Sequence, residues 1–255
     1  MTHQTSNRRS FLKKMALASA TASLPHLLLA AALPAEAEAA KGLTVLFQGD
    51  SITDGNRGRN QDPNHIMGHG YAFSIASRVG ADHPAKNISF FNRGISGNKI
   101  TDLAKRWQED TLNLKPDVLS ILVGINDAAS VVHQKEAVPV AQFENVYREL
   151  LEKTKQQNPD VLLVLCEPFI LPVGPVQQNW EAWHTDVVTR QAAVKRLAAD
   201  YQAVFVPFQQ VFDKALAKAP ARYWIWDGIH PTVAGHELMT REWMQQVGKT
   251  QRLFK

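Results

Sequence analysis

Past residue 40 the chain alternates between short apolar runs and longer stretches whose apolar residues recur every three or four positions. "LTVLF" (43–47), "ISFFN" (88–92), "VLSILVG" (118–124), "VLLVLCEPF" (161–169) and "AVFVPF" (203–208) read as strands. The third run is nearly all apolar, as strands covered on both faces are. Between them, "YAFSIASRV" (71–79), "KITDLAKRWQEDTL" (99–112) and "AQFENVYRELLEKTKQQ" (141–157) have helical spacing; in the second, Ile100, Leu103 and Trp107 share one side. Further helices are expected over about 181–200, in a short piece before Trp224, and from about Val233 to Val247. This alternation predicts an α/β fold: a three-layer α/β/α sandwich around a mainly five-stranded parallel sheet with right-handed crossovers. Ligands of such sheets sit at the carboxyl ends of the strands.

The residues just after the strands are therefore where chemistry is expected. They are Gly49-Asp50-Ser51, "NRGISGN" (92–98) and "GIND" (124–127), with "WDGIHP" (226–231) before the last helix. A serine hydroxyl is a weak nucleophile until a base takes its proton, and histidine is the side chain whose pKa suits that work near neutrality. An aspartate can fix the histidine's tautomer and stabilise the imidazolium. Asp227 and His230 are three apart, so their side chains can meet across one helical turn. A tetrahedral intermediate needs donors already aimed at its oxyanion. The Gly97 N–H, the Asn126 amide and the Ser51 N–H fit that role.

Four blocks, "GDSIT", "GISGN", "GIND" and "DGIHP", run in that order along the chain. This arrangement resembles the SGNH hydrolases, also called the GDSL esterases and lipases, with their flavodoxin-like fold. The resemblance implies Ser51 as nucleophile, His230 as base, Asp227 as its orienter, and Ser51, Gly97 and Asn126 as the oxyanion hole. There is no Gly-x-Ser-x-Gly, so the α/β-hydrolase elbow is a poorer match. The longer stretches "GDSITD", "NRGISGN", "RWQED", "KPDVLSILVGIND" and "WDGIHPTVAGHELM" are similar to a subgroup that includes acetylxylan esterases. That similarity implies removal of O-acetyl groups from plant polysaccharides or oligosaccharides, a small acyl pocket and often a homo-oligomer; the chemistry itself needs no cofactor. Two alternatives stay open. One is a lysophospholipase, thioesterase or general short-chain esterase on the same scaffold; the other is a non-catalytic glycan-binding protein, which would need a lesion in the triad.

Other residues divide between chemistry and packing. Asp50 reads as a carboxylate accepting backbone N–H bonds at a helix start. Arg93 and Asp127 flank oxyanion residues and either shape the site or serve structure. Trp226, next to Asp227, and Trp224 either border the cleft, offering an indole face to a sugar ring or acetyl methyl, or pack in the core. Trp180 and Trp183 are candidates for an outer wall. His65 and His69 have i, i+4 spacing, but "NRGRNQDPNHIMGHG" is too rich in Gly, Asn and Pro for a helix, so a loop walling the site is expected there and no metal. His236 and Cys166 read as packing residues.

The remaining features bear on location and partners. Residues 1–39 hold "SNRRSFLKK", an alanine-rich apolar stretch from Met15 to Leu33, and Ala-x-Ala spacings at Ala35–Ala37 and Ala37–Ala39. They resemble a twin-arginine export signal removed near residues 37–40, leaving 40–255 as a single domain, periplasmic or secreted. Pro25 and His26 interrupt the apolar run and its length is marginal for a membrane span, so a removed signal is read there and no stable membrane insertion of the mature form is expected. Without that segment the chain has 24 basic and 22 acidic residues, too balanced to suggest nucleic acid. The single cysteine cannot form an internal disulfide. The expected partner is an acetylated saccharide or another small ester.

Overall fold

The computed structural model describes residues 42–60 and 62–250; the segment read as an export signal lies outside the described residues. In chain order the elements are β1 (Thr44–Gly49), α1 (Ser51–Asp54), α2 (Tyr71–Asp82), β2 (Ser89–Asn92), α3 (Ile100–Asp110), β3 (Val118–Leu122), α4 (Ile125–Val132), α5 (Val140–Gln157), β4 (Leu162–Cys166), α6 (Gly174–Gln178), α7 (Trp180–Asp200), β5 (Val204–Val206), α8 (Phe208–Ala215), α9 (Ala221–Trp224) and α10 (Val233–Gly248). The strands form one sheet in the order β2-β1-β3-β4-β5. Every pair is parallel, with Leu46 facing Phe91 on one side and Leu119 on the other.

The period-two alternation of the strands divides the core in two. Val45, Phe47, Val118, Leu122, Val164 and Cys166 pack toward α2, α8 and α10, where they meet Ile75, Phe212 and Trp243. Leu46, Leu119, Ile121, Leu163 and Leu165 pack toward α3, α5 and α7. Both faces are covered, which is why these strands lack polar alternation. Each such side chain contributes roughly 1.5–3 kcal/mol by leaving water. The polar atoms that go inside find partners: the Trp107 indole N–H donates to Thr154 Oγ1 at 3.1 Å, and that of Trp243 to Ser120 Oγ at 3.0 Å.

Two short helices, α1 and α4, begin directly after strands in segments that periodicity reads only as strand ends. Both are too short to show a repeating apolar stripe. The last strand is also shorter than its apolar run: Pro207 has no N–H to donate, and Phe208 opens α8.

Candidate active site

The sheet reverses its winding direction beside β1, and three neighbouring strands deliver the site. Ser51 follows β1, Gly97 follows β2 and Asn126 follows β3. This is the crevice position expected of an open parallel sheet. Asp50 follows the first strand and caps α1, with its Oδ1 accepting from the Ile52 N–H at 3.0 Å. The next residue, Ser51, places its Oγ 2.8 Å from His230 Nε2, across 179 residues of sequence. His230 Nδ1 lies 2.7 Å from Asp227 Oδ2. The residues read as nucleophile, base and orienter are thus one hydrogen-bonded relay.

Asp227 and His230 do not meet on a helical turn. They lie in a tight loop closed by the bridge of Ile225 with Pro231 and by the Trp226 N–H donating to His230 O at 3.1 Å. Asp227 Oδ1 accepts from the N–H groups of Ile229 at 2.9 Å and His230 at 2.7 Å, so the carboxylate builds the turn that presents it. Gly228, at φ +98°, allows the reversal. Burial pushes the Asp227 pKa up, but the His230 ring and these two N–H donors outweigh it and hold the carboxyl below its ordinary range. The partner effect appears on His230: its hydrogen bond to Asp227 raises its pKa against the opposing effect of burial. An ionised Asp227 keeps the proton on Nδ1 and turns the Nε2 lone pair toward Ser51.

Gly97 has φ +84°, and a Cβ there would meet nothing within 4 Å. Glycine is demanded by the backbone, and the space beside it is open. Among the described residues the N–H groups of Ser51 and Gly97 have no hydrogen-bond partner. Asn126 sits in the first turn of α4 and donates one Nδ2 hydrogen to Asn98 O at 3.2 Å, leaving the other. Three donors unspent by the fold therefore stand on Ser51 itself and on the two segments flanking it.

Trp226 is 59% exposed and stacks on His230 with ring centroids 6.3 Å apart. Trp224 is a core residue: its indole is buried and its N–H donates to the carbonyls of Ala215 at 3.1 Å and Ala219 at 3.2 Å. The alternation that exposes one tryptophan buries the other. Arg93 lies over Phe91 and faces Asp110 at 3.6 Å, making no contact with the relay. Trp183 is buried against His133 rather than forming an outer wall, while Trp180 is half-buried against His184.

Asp50 is fully buried, and burial raises its pKa to about 7. Asp127 is also buried, raised by burial to about 6, and its two oxygens accept from the Ile100 N–H at 3.1 and 3.2 Å, joining α4 to α3. His236 accepts from the Tyr71 N–H at 3.2 Å. Cys166 is buried, its thiol pushed up to about 12. His65 and His69 lie in a turn-rich loop, His65 facing Asp62 at 3.1 Å. Among the described residues no group of three or more His, Cys, Asp or Glu is placed to hold a metal ion, and no helix is long and apolar enough to cross a membrane. Sequence reasoning missed Asp54 and Arg106, which bind the segment carrying Gly97. Both lie in stretches that carry the subgroup resemblance, "GDSITD" and "RWQED", but spacing alone gave neither a role.

Residues 47–238, from the first strand into the last helix, match the GDSL-like lipase/acylhydrolase family. An acetylxylan esterase of Geobacillus stearothermophilus is 32% identical over 216 residues, 81% of this chain and 94% of that protein. An uncharacterized lipoprotein of Bacillus subtilis (strain 168) is 32% identical over 84 residues, 33% of this chain and 35% of its own. Among solved structures, a protein of Parabacteroides merdae described as a GDSL-like lipase superposes with a TM-score of 0.78 at 40% identity, over 82% of this chain and 96% of that one. The crystal structure of an acetylxylan esterase from Geobacillus stearothermophilus gives 0.72 at 32% identity, over 81% and 94%. With the end of β1 and all of β2 to β5 inside the matched span and a Ser–His–Asp relay at the sheet's carboxyl edge, the chain belongs to the GDSL-like lipase/acylhydrolase family and is a carboxylic ester hydrolase.

Proposed function

We propose that this esterase removes O-acetyl groups from plant polysaccharides or their oligosaccharides through an acetyl-serine intermediate. The observation that carries the chemistry is the unbroken relay from Ser51 Oγ through His230 to Asp227, at 2.8 and 2.7 Å. Ser51 Oγ attacks the acetyl carbonyl carbon while its proton passes to His230 Nε2. The carbonyl oxygen becomes an oxyanion and accepts hydrogen bonds from the Ser51 N–H, the Gly97 N–H and the Asn126 amide. As the carbonyl re-forms, the bond to the sugar oxygen breaks and that oxygen takes the proton from His230. Water then attacks the acetyl-enzyme with His230 again as base; acetate leaves and Ser51 recovers its hydrogen. Asp227 stays ionised throughout and stabilises the imidazolium.

An acetyl-glycan substrate is supported by the acetylxylan esterase relative, which aligns over 81% of this chain. The exposed indole of Trp226, stacked beside the catalytic imidazole, is suited to hold the pyranose from which the acetyl group departs. Export by the twin-arginine route, removal of residues 1–39 and a single mature domain over 40–255, alone or as a homo-oligomer, complete the reading. A lipoprotein among the relatives is in keeping with export.

Ser51→Ala should abolish hydrolysis of p-nitrophenyl acetate; unchanged turnover would refute the nucleophile. Rates across acetyl to octanoyl esters should peak at acetyl, since each further methylene in a fitted pocket is worth only about 1–3 kcal/mol and the trend must be read across the series. Acetate release should be greatest from acetylated xylan or xylo-oligosaccharides and smaller from pectin fragments. A peak at long acyl chains would favour the lysophospholipase or thioesterase reading instead.

A further inference from the structure

The loop from Arg93 to Asn98 carries Gly97, and its other residues are bound one by one. The Arg93 N–H donates to Phe47 O at 2.8 Å, Ile95 to Gly49 O at 3.1 Å, and Asn98 to Ile95 O at 3.2 Å. The Gly94 N–H donates to Asn92 Oδ1 at 2.9 Å, and that of Ser96 to Asp54 Oδ2 at 3.0 Å. The Gly97 N–H is the member of this run without a partner among the described residues.

One side chain grips the loop on both sides of Gly97. Arg106 on α3 donates from Nη1 to Arg93 O at 2.8 Å and from Nε to Asn98 Oδ1 at 2.8 Å. Its Nη2 reaches Gly49 O at 3.3 Å, two residues before Ser51. Asp110, one helical turn on, accepts from Nη1 at 2.9 Å and holds the guanidinium in place. The side chain is only 14% exposed. Asn98, held through its side chain, also presents the carbonyl that orients the Asn126 amide. A planar fork of donors spans these separate acceptors, which the compact ammonium of lysine cannot do at once.

We propose that Arg106 is a positioning residue that keeps the Ser51, Gly97 and Asn126 donors in common register for the oxyanion. It acts on transition-state stabilisation and not on ground-state binding. The inference rests on reading those three groups as the oxyanion hole. Arg106 touches neither substrate nor reacting atoms; its effect comes from the steep penalty, about 10²-fold, for displacing a preorganised group by an ångström.

The test is p-nitrophenyl acetate kinetics on Arg106→Gln, Arg106→Lys, Arg106→Ala, Asn126→Ala and the Arg106→Gln/Asn126→Ala double variant, with melting temperatures alongside. Arg106→Gln should lower kcat by about 10²-fold with KM changed by less than about threefold. Arg106→Lys should recover only part of that loss, and millimolar guanidinium should raise the rate of Arg106→Ala without affecting the parent enzyme. The double variant should be only a few-fold slower than Asn126→Ala, because both changes damage one device. A kcat within about threefold of the parent in Arg106→Gln, or losses that multiply in the double variant, would overturn the inference. If Arg106→Gln does not fold, Arg106→Lys decides: parental kcat in that variant overturns it. Unchanged kcat in Asn126→Ala would instead remove the oxyanion reading itself, an outcome separable from failure at Arg106 alone.

Discussion

In the proposed mechanism the Ser51 hydroxyl is useful only while its base is neutral, and the surroundings of His230 decide when that is. The hydrogen bond that His230 Nδ1–H donates to Asp227 raises the imidazole's pKa, so the neutral base is lost at a higher pH than for a free histidine. The acid limb of kcat/KM should therefore lie above about 6.5, with activity falling as pH drops through it. Asp227→Asn should move that limb to lower pH and reduce kcat by about 10⁴-fold, as loss of the orienting carboxylate does in serine hydrolases; a pH–rate profile of both proteins checks the shift. At the same scale, Asn126→Ala should cost about 10²–10³ in kcat, read by steady-state turnover, with KM little changed. The hydrogen-bonded trio Ser51, His230 and Asp227 could be singled out in the sequence because those residue types are chemically rare in combination. Trp224 and Trp226 were not separable, since the same residue type serves core and cleft and only the local bridge at Ile225 and Pro231 decides which way each points.

Among the elements, the turn at 225–231 is the most exacting. A Cβ on Gly228 would lie 2.6 Å from Val176 Cβ on α6, and the backbone there is at φ +98°. Gly228→Ala should therefore force the turn away from α6, lower stability by about 1–3 kcal/mol and lower kcat by disturbing the Asp227–His230 pair. Thermal melting and kinetics on one preparation would show both effects together; loss of stability with full activity would mean that the pair rides out the shift. Helices α3, α5, α7 and α10 were legible from spacing because each buries a stripe across several turns. One- and two-turn helices such as α1, α4 and α6 were not, since a stripe needs more than one repeat to be seen. The expected helical turn at Asp227–His230 failed for a related reason: spacing of three also suits a loop built by the aspartate's own side chain.

For the whole molecule, the packing of α10 against α2 introduces a pH dependence of stability. His236 of α10 accepts from the Tyr71 N–H and is pushed down to about 4 by burial, with His69 and His230 adding to the effect. The unfolded chain then binds more protons at this site than the folded one below about pH 6.5, so stability falls as pH drops from there toward 4. His236→Asn keeps an acceptor without the charge. Relative to the parent it should gain up to about 2 kcal/mol on going from pH 7 to pH 5, measured by denaturant titration at both pH values. Comparing the two proteins cancels the opposite trend expected from Asp50 and Glu167, whose carboxyls burial raises to about 7 and which therefore favour the fold as pH falls.

What the amino-acid order determines by itself is local in origin. Apolar runs long enough to be covered on both faces imply the parallel sheet, and reactive residue types placed after those runs imply chemistry at its carboxyl edge. Tertiary structure alone decided the rest. Ser51 and His230 are 179 positions apart, and no local preference encodes a 2.8 Å contact between them. The strand order β2-β1-β3 sets Gly97 and Asn126 on either side of Ser51. The guanidinium of Arg106 joins the Gly97 loop to the end of β1, contacts that span up to 57 positions of sequence. Propensity and periodicity act within a few residues, whereas a catalytic constellation is defined by distances between side chains that the chain brings together only once its two cores have closed on the sheet.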